Sequence, residues 1–432
     1  MRARDAATPS LYAHAHACSM HVLNTSSHTD DPAPSPSFFS AGWPGRSDMG
    51  CVAFNGRIVV AGGQGGADSK FALLNDVWTS EDAVTWTAAT QGAEWIGRRS
   101  FAMMVHNKQV WILGGLHNGG PNGELVPTNS IWSSSDGGKW LQVRADSAYC
   151  MGGACETAKA GLSATATTGS GLVTPASSNG DSGGAVGYMW APRHSPVAFS
   201  FLGKLYLISG LQSSDSVEDA ATADFRNDVW SSRDGVSWML ETADPPWAAS
   251  PTRHGRRAVQ GAIHQLVMYV LAESSDYRFY YNIWGSRDGV TWTEPTSACT
   301  ISGQPLGAAL VVGSGMVLLA TADTIRGKND VKLWYSTSPQ MFNATFASAK
   351  EPVGQGPRRG SGYVAFKGHI LQVGGSCRDC AKSLQLNDAF SDVWQSDGVA
   401  SALGFEGGAA CLRPSTALPI LVAAALVRWL TL

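Results

Sequence analysis

Five arginines recur at one place in the sequence, and together they could bind an anion. Four of them lie ten residues before a turn position, and the fifth fits with a shift of one residue. The five are Arg46, Arg98, Arg193, Arg256 and Arg358. A guanidinium group presents a planar fork of N–H donors that binds carboxylates and sulfates through paired hydrogen bonds. The arginines therefore predict a ligand with a carboxylate, a sulfated or uronic sugar, or an acidic peptide.

The same arginines have a structural interpretation, which the sequence leaves open. Each opens a unit, and the units contain an Asn-Asp-Val-Trp tetrapeptide or a variant of it. The arginine could pair with the Asp of that tetrapeptide and with carbonyl groups of its neighbours, without touching a ligand. The many tryptophans have a similar alternative, because repeated units that stack on one another need bulky side chains between them.

Two close cysteine pairs are the other residues whose spacing suggests chemistry. They are Cys150 with Cys155, and Cys377 with Cys380 in the sequence Cys-Arg-Asp-Cys. A zinc site needs four converging ligands, and nothing in the sequence ties the two pairs together. We expect local disulfides in an oxidising compartment, or free thiols, and we predict no metal or other cofactor.

A repeated unit must position these residues. Its clearest copy, residues 227–238, has two tryptophans eight residues apart with Asp-Gly between them. Asp-Gly supplies the positive φ of a tight turn, so each copy predicts a hairpin. The hairpins lie near Trp78, Trp132, Trp230, Trp284, Trp334 and Trp394. In the first copy Asp82-Ala83 replaces Asp-Gly, and we expect that turn to be wider or more strained.

A second hairpin precedes the first one in each unit. In the first unit an apolar run, residues 58–61, follows Asn55-Gly56 and ends at Gly62-Gly63. A short continuous apolar run fits a strand that is buried on both faces. Each unit then has four strands, the number in one propeller blade. The sequence predicts an all-β fold, a six-bladed β-propeller of four-stranded antiparallel blades within residues 19–400.

The order of these features resembles a known repeat. An apolar strand, Gly-Gly, a variable loop and then Asn-Asp-Val-Trp resembles the kelch repeat, and the match covers about residues 46–398. The resemblance implies that the five arginines open onto the mouth of a central pocket. It also implies a non-catalytic propeller that binds a protein, or an anionic glycan or peptide, on its loop face. We expect it to be a monomer.

Relatives of this fold imply an alternative class of function, a carbohydrate-active enzyme. Ser-x-Asp-Gly-x-x-Trp looks like the Asp box of sialidases, although that box has one residue between Asp and Gly. A sialidase needs a Tyr nucleophile with acidic partners, and a galactose-oxidase-like enzyme needs Tyr and His copper ligands. His254, Tyr280 and Tyr281 are available, without a supporting arrangement. A sialic-acid-epimerase-like activity is the third variant. We assign no catalytic residue.

The sixth unit lacks its last strand, because Ala402 stands where a partner of Trp394 is expected. An unpaired strand edge exposes hydrogen-bonding groups. Kelch-type rings close by borrowing a strand from the other end of the chain. We therefore expect residues 19–25 to supply it, after a disordered segment at 1–18.

Two further segments lie outside the repeat. Residues 148–187, rich in Gly, Ala, Ser and Thr, form a low-complexity insertion between two units, either overhanging the pocket or acting as a spacer. Residues 401–432 form a spacer and an apolar tail that resembles a GPI-anchor signal. No signal peptide is visible at the N-terminus.

Composition restricts the partners and leaves the compartment open. The net charge of −3 and the absence of a dense Lys/Arg run argue against nucleic-acid binding. Asn24 and Asn343 fit glycosylation acceptors. We expect an extracellular or membrane-associated protein, attached through the C-terminal tail, with a cytoplasmic location as the alternative.

Overall fold

The computed structural model describes most of the repeated region. The described residues are 37–65, 72–120, 123–147, 149–151, 154–156, 189–212, 225–248, 258–273, 280–294, 301–302, 306–312, 315–320, 332–336, 347–349, 360–376 and 389–395. They form β-strands joined by turns, together with one short 3-10 helix at Pro246–Ala248.

The strands are numbered in chain order. The first fifteen are β1 (Ser37–Ser40), β2 (Arg46–Ser47), β3 (Gly50–Phe54), β4 (Arg57–Gly65), β5 (Ala72–Ser80), β6 (Thr87–Thr90), β7 (Arg98–Arg99), β8 (Ala102–His106), β9 (Gln109–Leu113), β10 (Leu116–Asn118), β11 (Leu125–Pro127), β12 (Ile131–Ser134), β13 (Leu141–Arg144), β14 (Tyr149–Met151) and β15 (Ala154–Glu156). The others are β16 (Val197–Phe201), β17 (Lys204–Ile208), β18 (Val229–Ser232), β19 (Trp238–Thr242), β20 (Ala258–His264), β21 (Val267–Glu273), β22 (Tyr280–Ser286), β23 (Ile301–Ser302), β24 (Leu306–Val312), β25 (Gly315–Ala320), β26 (Lys332–Ser336), β27 (Ala347–Ala349), β28 (Gly362–Phe366), β29 (His369–Val373) and β30 (Asp392–Gln395).

Each sequence unit forms one antiparallel sheet, called a blade. Within the described residues, blade 1 is β3–β6 with β2 added, blade 2 is β8, β9, β12 and β13, blade 3 is β16–β19, blade 4 is β20–β23, blade 5 is β24–β27, and blade 6 is β28, β29, β30 and β1. The first strands of the blades contact one another in cyclic order, from β3 through β8, β16, β20 and β24 to β28, which contacts β3. The blades therefore surround an axis, and the prediction of an all-β propeller with four-stranded antiparallel blades is confirmed.

An N-terminal strand completes blade 6. Ser37 to Ser40 pair in antiparallel register with Gln395 to Asp392, so β1 occupies the outer edge beside β30. As predicted, a strand from the N-terminal part of the chain completes blade 6, but this strand is not the one that the sequence indicated. The edge is covered by Ser37–Ser40, while residues 19–25 lie outside the described residues. This strand contains Phe38 and Phe39, two residues with high β-propensity.

The hydrophobic core is divided among the spaces between neighbouring blades. Four buried clusters join blade 6 to blade 1, blade 1 to blade 2, blade 2 to blade 3, and blade 3 to blade 4. The described tryptophans of these clusters include Trp43, Trp95, Trp132, Trp140, Trp190, Trp230, Trp238, Trp247, Trp284 and Trp292. These tryptophans therefore pack between blades, as their structural interpretation expects.

The two ends of the propeller differ in how the strands are joined. At the turn end, the first and second strands meet in two-residue turns with positive φ at both residues, such as Asn55-Gly56 and Gln265-Leu266. At the loop end, β10 and β11 form an arm that pairs with β7, and β14 and β15 begin the insertion between blades 2 and 3. Additional structure is thus concentrated at the loop end.

The Asp-Gly hairpins at the turn end share one hydrogen-bond pattern. In blade 3, Ser232 Oγ accepts the Gly235 N–H at 2.8 Å, and Asp234 Oδ1 accepts the N–H groups of Val236 and Ser237 at 2.8 Å. The same pattern surrounds Ala83 in blade 1, whose N–H lies 2.8 Å from Ser80 Oγ. That turn is not wider, and the strain falls on Ala83, which adopts a φ of 66°.

Two glycines of these hairpins give a matched stability test. An alanine Cβ at Gly235 would lie 2.4 Å from Trp111 Cζ3, whereas at Gly137 the nearest atom is Val59 Cγ1 at 3.8 Å. We expect Gly137→Ala to cost about 1–2 kcal/mol for the left-handed conformation, and Gly235→Ala a further ~1–3 kcal/mol for overpacking. Urea unfolding of both variants measures the difference, and equal losses would contradict the packing of the blade 3 turn on blade 2.

Candidate functional site

Three of the five candidate arginines are described, and they lie in equivalent places at the loop end. We call Arg46, Arg98 and Arg193 the strut arginines. The guanidinium of each lies over the indole ring of the tryptophan three residues earlier, with Cζ 5.1–6.0 Å from the ring centroid. In each, Nε donates to the carbonyl two residues back, and Nη1 donates to the carbonyl sixteen residues on. Their side chains are buried, with at most 3% of the residue exposed.

Arg46 and Arg193 are held by the Asp of the Asn-Asp-Val-Trp tetrapeptide. The two Nη atoms of Arg46 donate to the carboxylate of Asp76 at 2.7 and 2.8 Å, and those of Arg193 to Asp228 at 2.5 and 3.0 Å. The structural interpretation therefore describes these two arginines, whose guanidinium groups are fully enclosed. Arg256 and Arg358 lie outside the described residues.

The carboxylates of these pairs are ionised. Burial by itself raises the pKa of Asp76 and Asp228, but the hydrogen bonds and charge of the strut arginine hold the pKa of both below the ordinary value. An indole N–H adds to this effect in each blade, from Trp78 at 2.8 Å and Trp230 at 2.7 Å. Each pair is thus a buried ion pair that links the segment before a first strand to the third strand of the same blade, or to the residue directly before that strand.

Arg98 is held differently, because Ser130 replaces the Asp in blade 2. Arg98 Nη1 donates to Ser130 Oγ at 3.1 Å, and Thr128 Oγ1 lies 2.8 Å from Ser130 Oγ and 2.5 Å from Asp146 Oδ1. The hydroxyls thus separate Arg98 from the nearest carboxylate. Burial lowers the pKa of Arg98 to about 10, against the opposing charge of Asp146, so the guanidinium remains charged at neutral pH.

A chain of backbone hydrogen bonds runs around the axis at the loop end. Asp48 N donates to Gly360 O at 2.7 Å, Ser100 N to Asp48 O at 2.9 Å, and Ser195 N to Ser100 O at 2.6 Å. All four residues have positive φ, between 51° and 62°. We call them the mouth arc. Each stands just before the first strand of its blade, so the arc borders the axis from blade 6 to blade 3.

Among the described arginines, Arg99 lies beside the mouth arc with a partly exposed side chain. Its side chain is 19% exposed, and its Nη1 lies 3.8 Å from Asp48 Oδ2, beyond hydrogen-bond distance. Ser47 Oγ donates to Asp48 Oδ2 at 3.1 Å, and His194 Nδ1 lies 3.1 Å from Ser195 Oγ. Ser47 and His194 are largely buried, so Arg99 is the partly exposed group here that an anionic ligand can reach.

Sequence reasoning selected the first arginine of the Arg98-Arg99 pair and missed the second. The signal was present, because the sequence repeats an Arg-Arg pair at 256–257 and at 358–359, both outside the described residues. Adjacent residues on a strand point to opposite faces. In the described pair, the first side chain enters the blade and the second remains at the mouth arc.

The remaining predicted sites are described in part. Cys150 stands directly opposite Cys155 in the β14–β15 ladder. Cys377, Cys380, Asn24 and Asn343 lie outside the described residues. Across the described part of the chain, no group of three or more His, Cys, Asp or Glu side chains is placed to hold a metal ion. The same residues contain no helix of the length and apolarity that a membrane span requires.

Comparisons with known proteins show structural similarity but no match in sequence. No family model matches the sequence, and no curated protein matches it. A solved structure, that of YjhT, superposes with a TM-score of 0.47 at 11% identity, covering 81% of this chain and 95% of YjhT.

Proposed function

We propose that this protein is a kelch-type, non-catalytic propeller that binds an anionic protein or glycan ligand at its loop end. The observation that carries the proposal is the position of Arg99. Its Nη1 lies 3.8 Å from the nearest oxygen of Asp48, its Nε is buried without a hydrogen-bond partner, and 19% of its side chain is exposed beside the mouth arc. A ligand carboxylate or sulfate can supply the close, charge-assisted contact that Asp48 does not make.

The difference between the two ends supports the choice of the loop end. Turns at the opposite end are short and internally hydrogen-bonded, whereas the loop end carries the β10–β11 arm and the start of the insertion. Binding residues commonly lie on loops that a rigid scaffold positions. The backbone bonds of the mouth arc provide that scaffold, because they hold Arg99 and His194 at the start of neighbouring first strands.

An extracellular or membrane-tethered location belongs to the same proposal. The β14–β15 register, in which Cys150 faces Cys155, supports a local disulfide because paired residues of antiparallel strands have Cα atoms within disulfide range. Such a bond forms in an oxidising compartment.

Arrays of acidic glycans and acidic peptides test the proposal directly. We expect binding of an anionic ligand by the purified protein, and a loss of about 10- to 100-fold in affinity in Arg99→Ala, because hydrogen bonds to charged groups contribute about 1.5–3 kcal/mol. The matched control is Arg57→Ala, which removes an arginine at the turn end that is paired with Glu81.

Two outcomes would contradict the proposal. An equal loss in Arg57→Ala would mean that binding follows overall charge rather than the mouth arc. Turnover of a sugar substrate, or stoichiometric copper in the purified protein, would favour the carbohydrate-active enzymes over a binding module.

A further inference from the structure

One arrangement of donors recurs in blades 1 and 3, and blade 2 keeps the donors without the acid. In blades 1 and 3, one carboxylate oxygen, Oδ1, accepts Nη1 of the strut arginine. The other oxygen, Oδ2, accepts both Nη2 of that arginine and the Nε1–H of the tryptophan two residues after the Asp. Ser130 in blade 2 has a single oxygen, which can serve as only one of these two acceptors.

Ser130 takes the place of Oδ1. Its Oγ accepts Arg98 Nη1 at 3.1 Å, which is the bond that Asp76 Oδ1 makes in blade 1. The other contacts of the guanidinium are unchanged, since Nε and Nη1 of Arg98 donate to the carbonyls of Ile96 and Gly114 at 3.2 and 3.1 Å. The guanidinium therefore has the orientation of Arg46, and its Nη2 points where Oδ2 lies in blades 1 and 3.

Two N–H donors in blade 2 are consequently without a protein acceptor. Within the described residues Arg98 Nη2 makes no hydrogen bond, and Trp132 Nε1 is buried without one. In blades 1 and 3 the equivalent donors meet on a single oxygen atom. One of the two blade 2 donors belongs to a buried cation, because only 3% of Arg98 is exposed.

The neighbouring charges do not supply the missing acceptor. Asp146 Oδ1 accepts hydrogen bonds from the Thr128 hydroxyl and from the N–H of Asn129. Its connection to Arg98 therefore runs through the hydroxyl groups of Thr128 and Ser130. His117 stands opposite Arg98 in the β7–β10 pair, and burial together with the charge of Arg98 lowers its pKa. His117 Nδ1 is buried without a hydrogen-bond partner, so it does not accept from Arg98.

We infer that blade 2 binds a monoatomic anion, a halide such as chloride, between Arg98 Nη2 and Trp132 Nε1. Two N–H donors whose counterparts meet on one oxygen in blades 1 and 3, together with a positive charge that is only 3% exposed, favour an anion over water. The serine side chain has only two heavy atoms fewer than the aspartate side chain. The space left in blade 2 therefore suits an anion of a single atom. This site is separate from the ligand site proposed at Arg99, and it stabilises the fold.

Thermal unfolding in sodium chloride and in sodium methanesulfonate at equal ionic strength tests the inference. We expect chloride, and bromide, to raise the melting temperature by about 3 °C when the halide is in 100-fold excess over its dissociation constant. The rise should saturate, as one-site binding requires. Broadening of the ³⁵Cl NMR line by the protein gives a second readout that does not depend on unfolding.

Variants separate a halide site from a general salt effect. Ser130→Asp supplies the second oxygen, so we expect it to melt higher than the wild type and to lose the difference between the two salts. Trp132→Phe should reduce the halide response, and the matched Trp78→Phe in blade 1, where Asp76 is the acceptor, should retain it in full.

The inference is overturned if the wild type melts equally in both salts and shows no ³⁵Cl broadening, since water then occupies the position. It is also overturned if Ser130→Asp keeps the full halide response. Should Ser130→Asp fail to fold, the comparison of Trp132→Phe with Trp78→Phe and the ³⁵Cl signal of the wild type decide the matter.

Discussion

Replacing Asp228 with leucine is expected to destabilise the propeller by about 3–5 kcal/mol, because it leaves the Arg193 guanidinium buried and uncompensated. Arg193 is fully enclosed, and the carboxylate of Asp228 also accepts the indole N–H of Trp230. A total stability of about 5–15 kcal/mol is usual for a folded domain, so this loss is a large part of it. Urea unfolding followed by tryptophan fluorescence measures the change.

A double variant distinguishes an uncompensated charge from lost packing. Arg193→Met combined with Asp228→Leu removes both charges, and we expect it to recover most of the stability, since an apolar pair of similar volume often replaces a buried ion pair at little cost. The exposed pair of Arg57 and Glu81 is the control, where Glu81→Leu should change the stability by about 1 kcal/mol or less. If Asp228→Leu lowers the free energy of unfolding only slightly, Arg193 and Asp228 do not form a buried ion pair in solution.

Removal of residues 1–40 is expected to open the ring. β1 contributes four paired residues to the edge of blade 6, and at about 1 kcal/mol for each net hydrogen bond its loss costs about 4 kcal/mol. It also leaves β30 as an exposed edge, which favours association between molecules. We expect a strongly lowered melting temperature, together with aggregation in light scattering at elevated temperature.

The matched truncation removes residues 1–30 and keeps β1. We expect its melting temperature to stay close to that of the full chain, because the described edge of blade 6 is formed by Ser37–Ser40. A sharp drop in this shorter truncation would instead favour the sequence-based assignment of residues 19–25 to the closing strand.

The blade architecture could be predicted because its signals are local and repeated. In four of the six copies Asp-Gly favours the positive φ of the hairpin, and in the clearest copies the tryptophan spacing locates the two strands around it. The closing strand gave no comparable signal. Ser37–Ser40 has four residues and no copy elsewhere in the chain, and its partner lies more than 350 residues away in sequence. Pairing between distant segments depends on the shape of the assembled ring, which periodicity does not encode.

The sequence predicts which arginines recur, but not what each of them contacts. The spacing indicates that the strut arginines occupy equivalent positions, yet it could not tell whether Arg46 faces a ligand or Asp76, since both interpretations use the same residue. Which of Arg98 and Arg99 enters the blade depends on the direction of one side chain at a strand start. The difference between Asp76 and Ser130 is visible in the sequence, but its meaning depends on the bonds that the other blades make.

The pairing of β1 with β30 also determines how the propeller responds to mechanical force. Ser37 stands opposite Gln395, so the chain enters and leaves blade 6 at the same corner of the sheet. A pull applied to the two ends acts along the interstrand hydrogen bonds, which lie perpendicular to the strands, and opens them one after another. The hydrogen bonds between β1 and β30, which close the ring, therefore open most easily under this force. Tension between the two ends of the chain would release β1 while the other blades stay folded.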